Sequence, residues 1–297
     1  MIVLAASSVG VLVEIGATGA TSDPALPASG SPASDPLAAP HFIPNAVFVA
    51  GPPPKESGAD DITEISIPDF DHGHPVIFTE YQNRINPIGT PSSPGGPTQG
   101  TVAGYDEFTG QLVGLYYITG HVDGVTADPA HRRVVVTSNE DANSAFYLIN
   151  HLSAAVIRFT CAPTLEVNGN GGSDSIAIWH GGIFSSHSNP NDTYAPTVYR
   201  ISLDWNPHVD REYPVFWDDS PARFEAAGTS GNTTLTDPDT SYVMPPASPP
   251  YGGDLATISQ VDGRLIFART ADTHLQLTQL NLTDNVSGNL PRSTGSL

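Results

Sequence analysis

The sequence predicts an all-β fold, a β-propeller of four-stranded antiparallel blades, and three observations support this prediction. A strand–turn–strand phrase recurs along the chain, and short strands that close on Asp or Asn recur behind it. The 28 glycines and 28 prolines supply turns at frequent intervals. Four short strands in each period of about 40–50 residues are typical of propeller blades, which bury their faces against neighbouring blades.

The recurring phrase is clearest in residues 122–139, VDGVTADPAHRRVVVTSN. Apolar and polar residues alternate in its first half, Asp128-Pro129 turns the chain, and a valine-rich strand follows. Residues 254–268, DLATISQVDGRLIFA, align with it without a gap, residues 174–185 form a shorter copy, and residues 232–243 form a partial one. This repetition predicts that four residues occupy equivalent positions at the heads of these copies: Asp123, Asp174, Asn232 and Asp254.

The N-terminal part of the chain has a different composition from the rest. Residues 1–20 contain an apolar run that is typical of a secretory signal, with a buried first strand as the alternative. Residues 21–40 are rich in Pro, Ala and Ser and predict a disordered linker, so residues 41–297 are expected to form the propeller domain. The expected location is therefore extracellular or periplasmic.

The repeats divide the propeller domain into blades. Strands at residues 76–79, 101–106 and 111–117 predict a first blade, and further blades are expected over residues 123–160 and 174–217. A last clear blade is expected to begin at Asp254 without its outermost strand, and the segment around Asn232 is a degenerate blade or an insertion. A complete fold of this type has about six or seven blades, which predicts truncation at the C-terminus or an N-terminal strand that completes the last blade.

Composition excludes several functions. Eleven basic and 31 acidic residues give a formal charge of −20, which repels nucleic acid. The N-terminal apolar run is too short for a stable membrane span. The protein is expected to be a monomer. Cys161 is the only cysteine, so an intramolecular disulfide is impossible and a buried, unreactive thiol is expected.

The phrases YDEFTGQLVGLYYITGHVDGV and VDGVTADPAHRRVVVTSN resemble the repeats of extracytoplasmic propellers of the YVTN and NHL type. Asp106-Glu107-Phe108-Thr109-Gly110 and Asp123-Gly124 follow one another in the order of that repeat, and the resemblance covers about residues 76–284. It implies the propeller fold. It implies no single function, because the same fold serves adhesins, scaffolds, lyases and lactonases.

A more distant similarity to gluconolactonase-type propellers implies a metal site. In those proteins an Asp, Asn or Glu at the head of several innermost strands binds one divalent cation in the central channel. The positions that look similar here are Asp123, Asp174, Asn232 and Asp254, which implies Ca²⁺ or another divalent cation. The alternative is that each residue only caps the turn into its strand. No Glu-Gly-Pro-type ligand is visible near the first blade.

Other chemistry-bearing patterns are weaker. His72 and His74 favour a surface turn between two prolines, and His121 and His180 do not form an obvious pair. No nucleophile elbow, Walker loop or dinucleotide fingerprint is found, so catalytic residues stay unknown and no cofactor-binding residue is predicted. The sequence favours a secreted binding module for a small molecule, glycan or protein at the mouth of the propeller. The alternative is a divalent-metal-dependent, lactonase-like hydrolase or lyase.

Overall fold

The computed structural model describes residues 53, 55–66, 73–161, 171–188, 196–225, 227–271 and 274–282. The segments predicted as a signal and a linker, residues 1–40, lie outside these ranges. Within these ranges, no helix is long and apolar enough to cross a membrane.

The described residues form eighteen strands and one 3₁₀ turn at Pro129–His131. The strands are β1 Ala59–Ile65, β2 Val76–Tyr81, β3 Gln99–Asp106, β4 Leu112–Thr119, β5 Val122–Asp128, β6 Arg133–Ser138, β7 Ala145–Asn150, β8 Ala155–Cys161, β9 Ser173–Trp179, β10 Gly182–His187, β11 Pro196–Trp205, β12 His208–Trp217, β13 Pro221–Phe224, β14 Thr229–Asn232, β15 Pro238–Val243, β16 Leu255–Ser259, β17 Arg264–Ala271 and β18 His274–Asn281.

Sixteen of these strands form four antiparallel meanders, each with four strands in sequence order: β1–β4, β5–β8, β9–β12 and β15–β18. The first strands lie side by side, because β1 contacts β5, β5 contacts β9, and β9 contacts β15. The fold is therefore all-β and has the blade construction of a propeller, with the first strand of each blade innermost. This confirms the fold class predicted from the repeat.

Two blade assignments made from the sequence were wrong. The first blade begins one strand earlier than predicted, at β1. The last blade begins at β15 and not at Asp254, which immediately precedes the second strand, β16. That blade also has its outer strand, β18, which pairs with β17 over its whole length. The gap-free alignment therefore matched an inner hairpin, β5–β6, with a middle hairpin, β16–β17.

Contacts between blades bury the middle strands of blades one and two on both faces. In β6, five of the six residues are buried, and this explains the unbroken Val134-Val135-Val136 run, which a sheet with one solvated face would not need. Three apolar clusters fill the spaces between successive blades. Their most buried side chains include Phe78 and Val134 between blades one and two, Phe146 and Ile176 between two and three, and Trp179 and Leu255 between three and four.

Adjacent blades also join through their outer strands and an extra hairpin. Strand β12 pairs in parallel with β8 over two residue pairs, Thr160 with Val209 and Cys161 with Asp210. The hairpin β13–β14 follows blade three and adds to the outer edge of blade four through a parallel contact between β13 and β18. The segment around Asn232 is thus an added hairpin and not a degenerate blade.

Candidate metal centre

Acidic side chains from the first strand of every blade gather where those strands meet. Asp61 lies on β1, Asp123 on β5, Asp174 on β9 and Asp239 on β15. Burial is the main cause that raises the pKa of each carboxyl group, and repulsion from carboxylates on other blades adds to it. The four blades therefore bring their acids into one electrostatically coupled group.

The centre of this group is formed by His121, Asp123 and Glu140. Their ligand atoms all lie within 4.8 Å of one another. His121 Nε2 is 3.6 Å from Asp123 Oδ1 and 3.6 Å from Glu140 Oε1. The side chains of His121 and Asp123 are only 5% and 4% exposed, whereas that of Glu140 is 22% exposed and gives the centre its contact with solvent.

Local backbone geometry holds these three residues together. His121 precedes β5 and Glu140 follows β6, so the two residues lie at the same end of the inner hairpin. Asn139 bridges them, because its Oδ1 accepts the His121 N–H at 2.9 Å and its own N–H donates to the His121 carbonyl at 2.8 Å. Gly120 has a φ of +100°, and a Cβ there would lie 2.1 Å from Asn139 Oδ1, so only glycine permits this approach.

The hydrogen bonding of His121 shows which ring nitrogen is available to a ligand. Nδ1 lies 2.7 Å from the carbonyl oxygen of Ile85, and a carbonyl can only accept, so Nδ1 carries the proton. In the neutral ring, Nε2 then presents a lone pair to the two carboxylates. This is the usual arrangement of a metal-binding histidine, whose second nitrogen donates to a carbonyl.

Several polar atoms of the group have no hydrogen-bond partner among the described residues. They are buried and comprise His121 Nε2, Asp123 Oδ2, Asp174 Oδ1 and Glu80 Oε2. Glu80, on β2, is fully buried, and burial raises its pKa, with repulsion from Asp123 as the next cause. In the described part of the chain, no arginine or lysine forms an ion pair with these carboxylates. Buried carboxylates need a proton or a cation. Hydrogen bonds between Asp123 and Glu140 and between Asp174 and Asp239 supply protons, and the atoms that stay without a partner leave room for a cation.

The donor set indicates which cation fits. Burial raises the pKa of Glu140 to about 9, and repulsion from Asp123 is the next cause, so the pair resists holding two negative charges by itself. A divalent cation removes that resistance, because it stabilises both carboxylates. An imidazole nitrogen combined with carboxylate oxygens suits Mn²⁺ or Zn²⁺ better than Ca²⁺, which prefers oxygen ligands alone.

The structure brings together two of the four residues that the sequence indicated as ligands. Asp123 is part of the centre, and Asp174 lies beside it on the next blade. Asn232 is exposed at the end of β14. Asp254 receives two hydrogen bonds from Arg269, with Nε 2.7 Å from Oδ1 and Nη2 2.9 Å from Oδ2, so its charge is already compensated. Neither Asn232 nor Asp254 lies on an innermost strand, so neither is placed to bind a cation together with Asp123.

Sequence reasoning did not identify Glu140, Asp61 or Asp239 as members of the group. Asp239 lies on the true first strand of blade four, two residues after Asp237, and the misplaced repeat concealed it. His74 does not contribute, because its Nδ1 lies 2.6 Å from Asp106 Oδ2, in a turn where Asp106 also accepts hydrogen bonds from Thr109. His180 lies in the β9–β10 turn against Trp179.

No protein-family model matches the chain, and no curated protein matches it. Its backbone is similar to that of a functionally unknown protein from Desulfotomaculum acetoxidans, with 12% identity and a TM-score of 0.43 over 74% of this chain and 55% of that one. A periplasmic gluconolactonase from Pseudomonas aeruginosa gives 11% identity and a TM-score of 0.41 over 72% of this chain and 55% of that one. A Dos1 propeller gives 14% identity and a TM-score of 0.38 over 71% and 43%. The chain thus spans about half the length of these proteins.

Proposed function

We propose that the chain binds a divalent cation at His121, Asp123 and Glu140 and uses it to hold an oxygen-bearing small molecule at one mouth of the propeller. The observation that carries this proposal is the orientation of His121, whose Nδ1 donates to the carbonyl of Ile85 while Nε2 faces the carboxyl oxygens of Asp123 and Glu140 at 3.6 Å. The partial exposure of Glu140 supports access from solvent on that side. The apolar run at residues 2–13 supports placing this function outside the cytoplasm.

The first test is thermal unfolding of chelator-treated protein with and without added Mn²⁺, Zn²⁺ or Ca²⁺. At a cation concentration about a hundredfold above Kd, the midpoint should rise by roughly 5–10 °C, with Mn²⁺ or Zn²⁺ more effective than Ca²⁺. His121→Gln and Asp123→Asn should abolish the rise that Mn²⁺ causes, because each removes a ligand atom.

Asp254→Asn is the matched control, because it removes the same charge from a buried aspartate that is paired with Arg269 instead. This variant should keep the full cation-dependent rise. A wild-type midpoint that does not respond to Mn²⁺ would contradict the proposal, and so would a Mn²⁺-dependent rise that Asp123→Asn leaves intact.

A second candidate function, metal-assisted hydrolysis of an ester or lactone, is favoured by Asp174. Asp174 is 1% exposed and lies beside the centre, and its Oδ1 has no hydrogen-bond partner among the described residues. Burial raises the pKa of its carboxyl well above the usual range. A bound divalent cation polarises a carbonyl oxygen and acidifies a water molecule. The charge of the cation would offset the repulsion that raises the pKa of Asp174, and the ionised Asp174 would then accept a proton from the attacking water, with Glu140 at the solvent-facing side.

Turnover of lactones and esters by the cation-loaded protein separates the two candidates. Hydrolysis predicts measurable turnover that Asp174→Asn reduces by about 10²-fold or more while the cation-dependent rise in the unfolding midpoint persists. Absence of turnover, with cation and small-molecule binding intact, would leave the binding function alone.

A further inference from the structure

A second cluster of ligating side chains lies at the outer junction between blades two and three, away from the innermost strands. Cys161 is the last residue of β8, and Asp210 and Glu212 lie on β12. Cys161 and Asp210 are direct partners in the parallel pairing of these strands. The thiol sulfur and one carboxylate oxygen from each acid all lie within 4.8 Å of one another.

Burial makes this cluster costly without a positive charge. Asp210 is fully buried and Cys161 is 8% exposed. Neither carboxylate oxygen of Asp210 has a hydrogen-bond partner of good geometry among the described residues, and Glu212 Oε1 lacks one as well. The Cys161 thiol donates instead to the carbonyl oxygen of Ser144 at 3.3 Å. The groups that lower the pKa of Asp210 through hydrogen bonds are the Cys161 thiol, its own backbone N–H and the Glu212 carboxyl, and none of them carries a positive charge. The removal of this carboxyl group from water is therefore only partly compensated.

The electrostatic state of the cluster agrees with its geometry. Burial raises the pKa of Asp210 to about 6 and that of Glu212 to about 8, and repulsion from Asp210 is the next cause for Glu212. In the part of the chain that the structure describes, no arginine or lysine forms an ion pair with either acid. A buried acid, a half-buried acid and a thiol therefore share one small space without a basic partner among the described residues.

We propose that Cys161, Asp210 and Glu212 form a second metal site, selective for a thiophilic divalent cation such as Zn²⁺, which fastens blade two to blade three. Sulfur and oxygen donors around one tetrahedral zinc, at about 2.3 Å and 2.0–2.2 Å, lie roughly 3.5 Å apart, so the observed cluster needs only a small contraction. A thiolate selects Zn²⁺ over Ca²⁺ or Mg²⁺, in contrast to a purely carboxylate cluster.

A cation at the junction between β8 and β12 would have a structural effect. The β8–β12 junction consists of only two residue pairs, and both acids lie on one strand while the thiol lies on the other. A cation bound by all three residues therefore links two blades that otherwise meet there through a short parallel contact. This site is independent of the centre formed by His121, Asp123 and Glu140, called the axial centre below, because the two share no ligand.

The test uses cobalt as a spectroscopic probe on the full chain after chelator treatment. Co²⁺ bound to a thiolate gives an intense charge-transfer absorption in the near ultraviolet, which carboxylate and imidazole ligands alone do not produce. The wild type and His121→Gln should show this absorption, and Cys161→Ser and Asp210→Asn should lose it. Zn²⁺ should quench it by competition. The zinc content after dialysis should be two per chain in the wild type and one in both His121→Gln and Cys161→Ser.

Asp219→Asn is the charge-matched control, because Asp219 lies in the turn after β12 and outside the cluster. It should keep the cobalt absorption. A folded wild type that binds Co²⁺ without the thiolate absorption would overturn the proposal and assign a shared proton to the acid pair. If Cys161→Ser fails to fold, the wild-type spectrum and the nearly isosteric Asp210→Asn decide the question. Loss of the axial site in His121→Gln leaves this outcome unaffected.

Discussion

At the scale of single residues, the group that compensates the charge of a buried acid decides whether that acid can bind a cation. Asp254 is compensated within the protein by the fork of hydrogen bonds from Arg269. Asp123 meets His121 and Glu140, neither of which supplies a fixed positive charge. Two aspartates with the same local sequence pattern thus have opposite requirements, and only Asp123 leaves a place for a cation.

The ion pair of Asp254 gives a prediction about stability. Arg269→Leu should lower the free energy of unfolding by about 1–3 kcal/mol, because Asp254 is 4% exposed and would remain buried without its donors. Adding Asp254→Asn to Arg269→Leu should recover part of the lost free energy of unfolding, because it removes the buried charge that has lost its partner. Urea denaturation measures both effects.

The exposed pair of Arg223 and Glu225, 3.7 Å apart, supplies the control. Arg223→Leu should change the free energy of unfolding by less than about 1 kcal/mol, since surface ion pairs contribute little. Equal losses in the two arginine variants would contradict the assignment of Asp254 to a buried, compensated site.

At the scale of strands and hairpins, the position of Asp174 relative to Asp123 in the axial group, which comprises the acids of the four first strands, depends on how closely β5 approaches β9. A Cβ on Gly124 would lie 2.7 Å from the Asp174 carbonyl oxygen and 2.8 Å from Thr137 Oγ1. Thr137 Oγ1 also donates to that carbonyl at 2.5 Å and ties the first hairpin of blade two to blade three. The absence of a side chain at position 124 therefore sets the spacing that places Asp174 beside Asp123.

Gly124→Ala should separate the two strands and destabilise the protein by about 1–3 kcal/mol, because backbone atoms on both sides prevent local relaxation. It should also weaken cation binding, since Asp123 is the preceding residue. Gly182→Ala is the control, because the nearest atom to a Cβ there is Cε2 of the Phe184 ring at 3.1 Å and the nearest backbone atom lies at 3.6 Å, an ordinary contact distance. Titration calorimetry with Mn²⁺ compares the variants, and unchanged affinity in Gly124→Ala would show that strand spacing does not position the ligands.

The sequence predicted the fold class and the limits of blades two and three, because hairpins and runs of β-branched residues are local signals. It misplaced blade four, because inner and middle hairpins alternate apolar and polar residues in the same way and only contacts with β9 distinguish them. Strand β1 was not predicted, because ADDITEI opens on three residues that favour turns or solvent. The pairing of His121 with Glu140 depends on Asn139 and on the hairpin register, which no spacing rule reveals.

At the scale of the whole molecule, the formal charge of −20 overstates the charge on the folded protein. Burial raises the pKa of Asp61 to about 7 and of Glu140 to about 9, and it raises the pKa values of Glu80, Asp123 and Asp174 as well. These carboxyls hold protons in the cation-free folded state that the unfolded chain releases near their ordinary pKa of about 4. The core of the propeller is therefore sensitive to pH and to cations together.

This linkage predicts the pH dependence of stability. Between about pH 4 and pH 9 the folded state binds more protons than the unfolded state, so the free energy of unfolding should fall as pH rises. In chelator, the unfolding midpoint should be several degrees lower at about pH 8 than at about pH 5. Mn²⁺ should restore most of the difference at the higher pH and do little at the lower one, because it replaces protons.

Sodium chloride is the control for general repulsion among surface charges, which salt screens. It should recover much less of the lost stability than Mn²⁺ does at equal ionic strength. A midpoint that is constant or rises between the two pH values would contradict the raised pKa values of the axial group.

The most direct measurement of the central claim is anomalous X-ray diffraction from crystals grown with Mn²⁺. We expect one anomalous peak within about 2.0–2.3 Å of His121 Nε2 and of carboxylate oxygens from Asp123 and Glu140, with none beside Asp254. A map without a peak at this position, in which a protonated carboxyl donates to its neighbour, would contradict the assignment of a metal centre to the propeller axis.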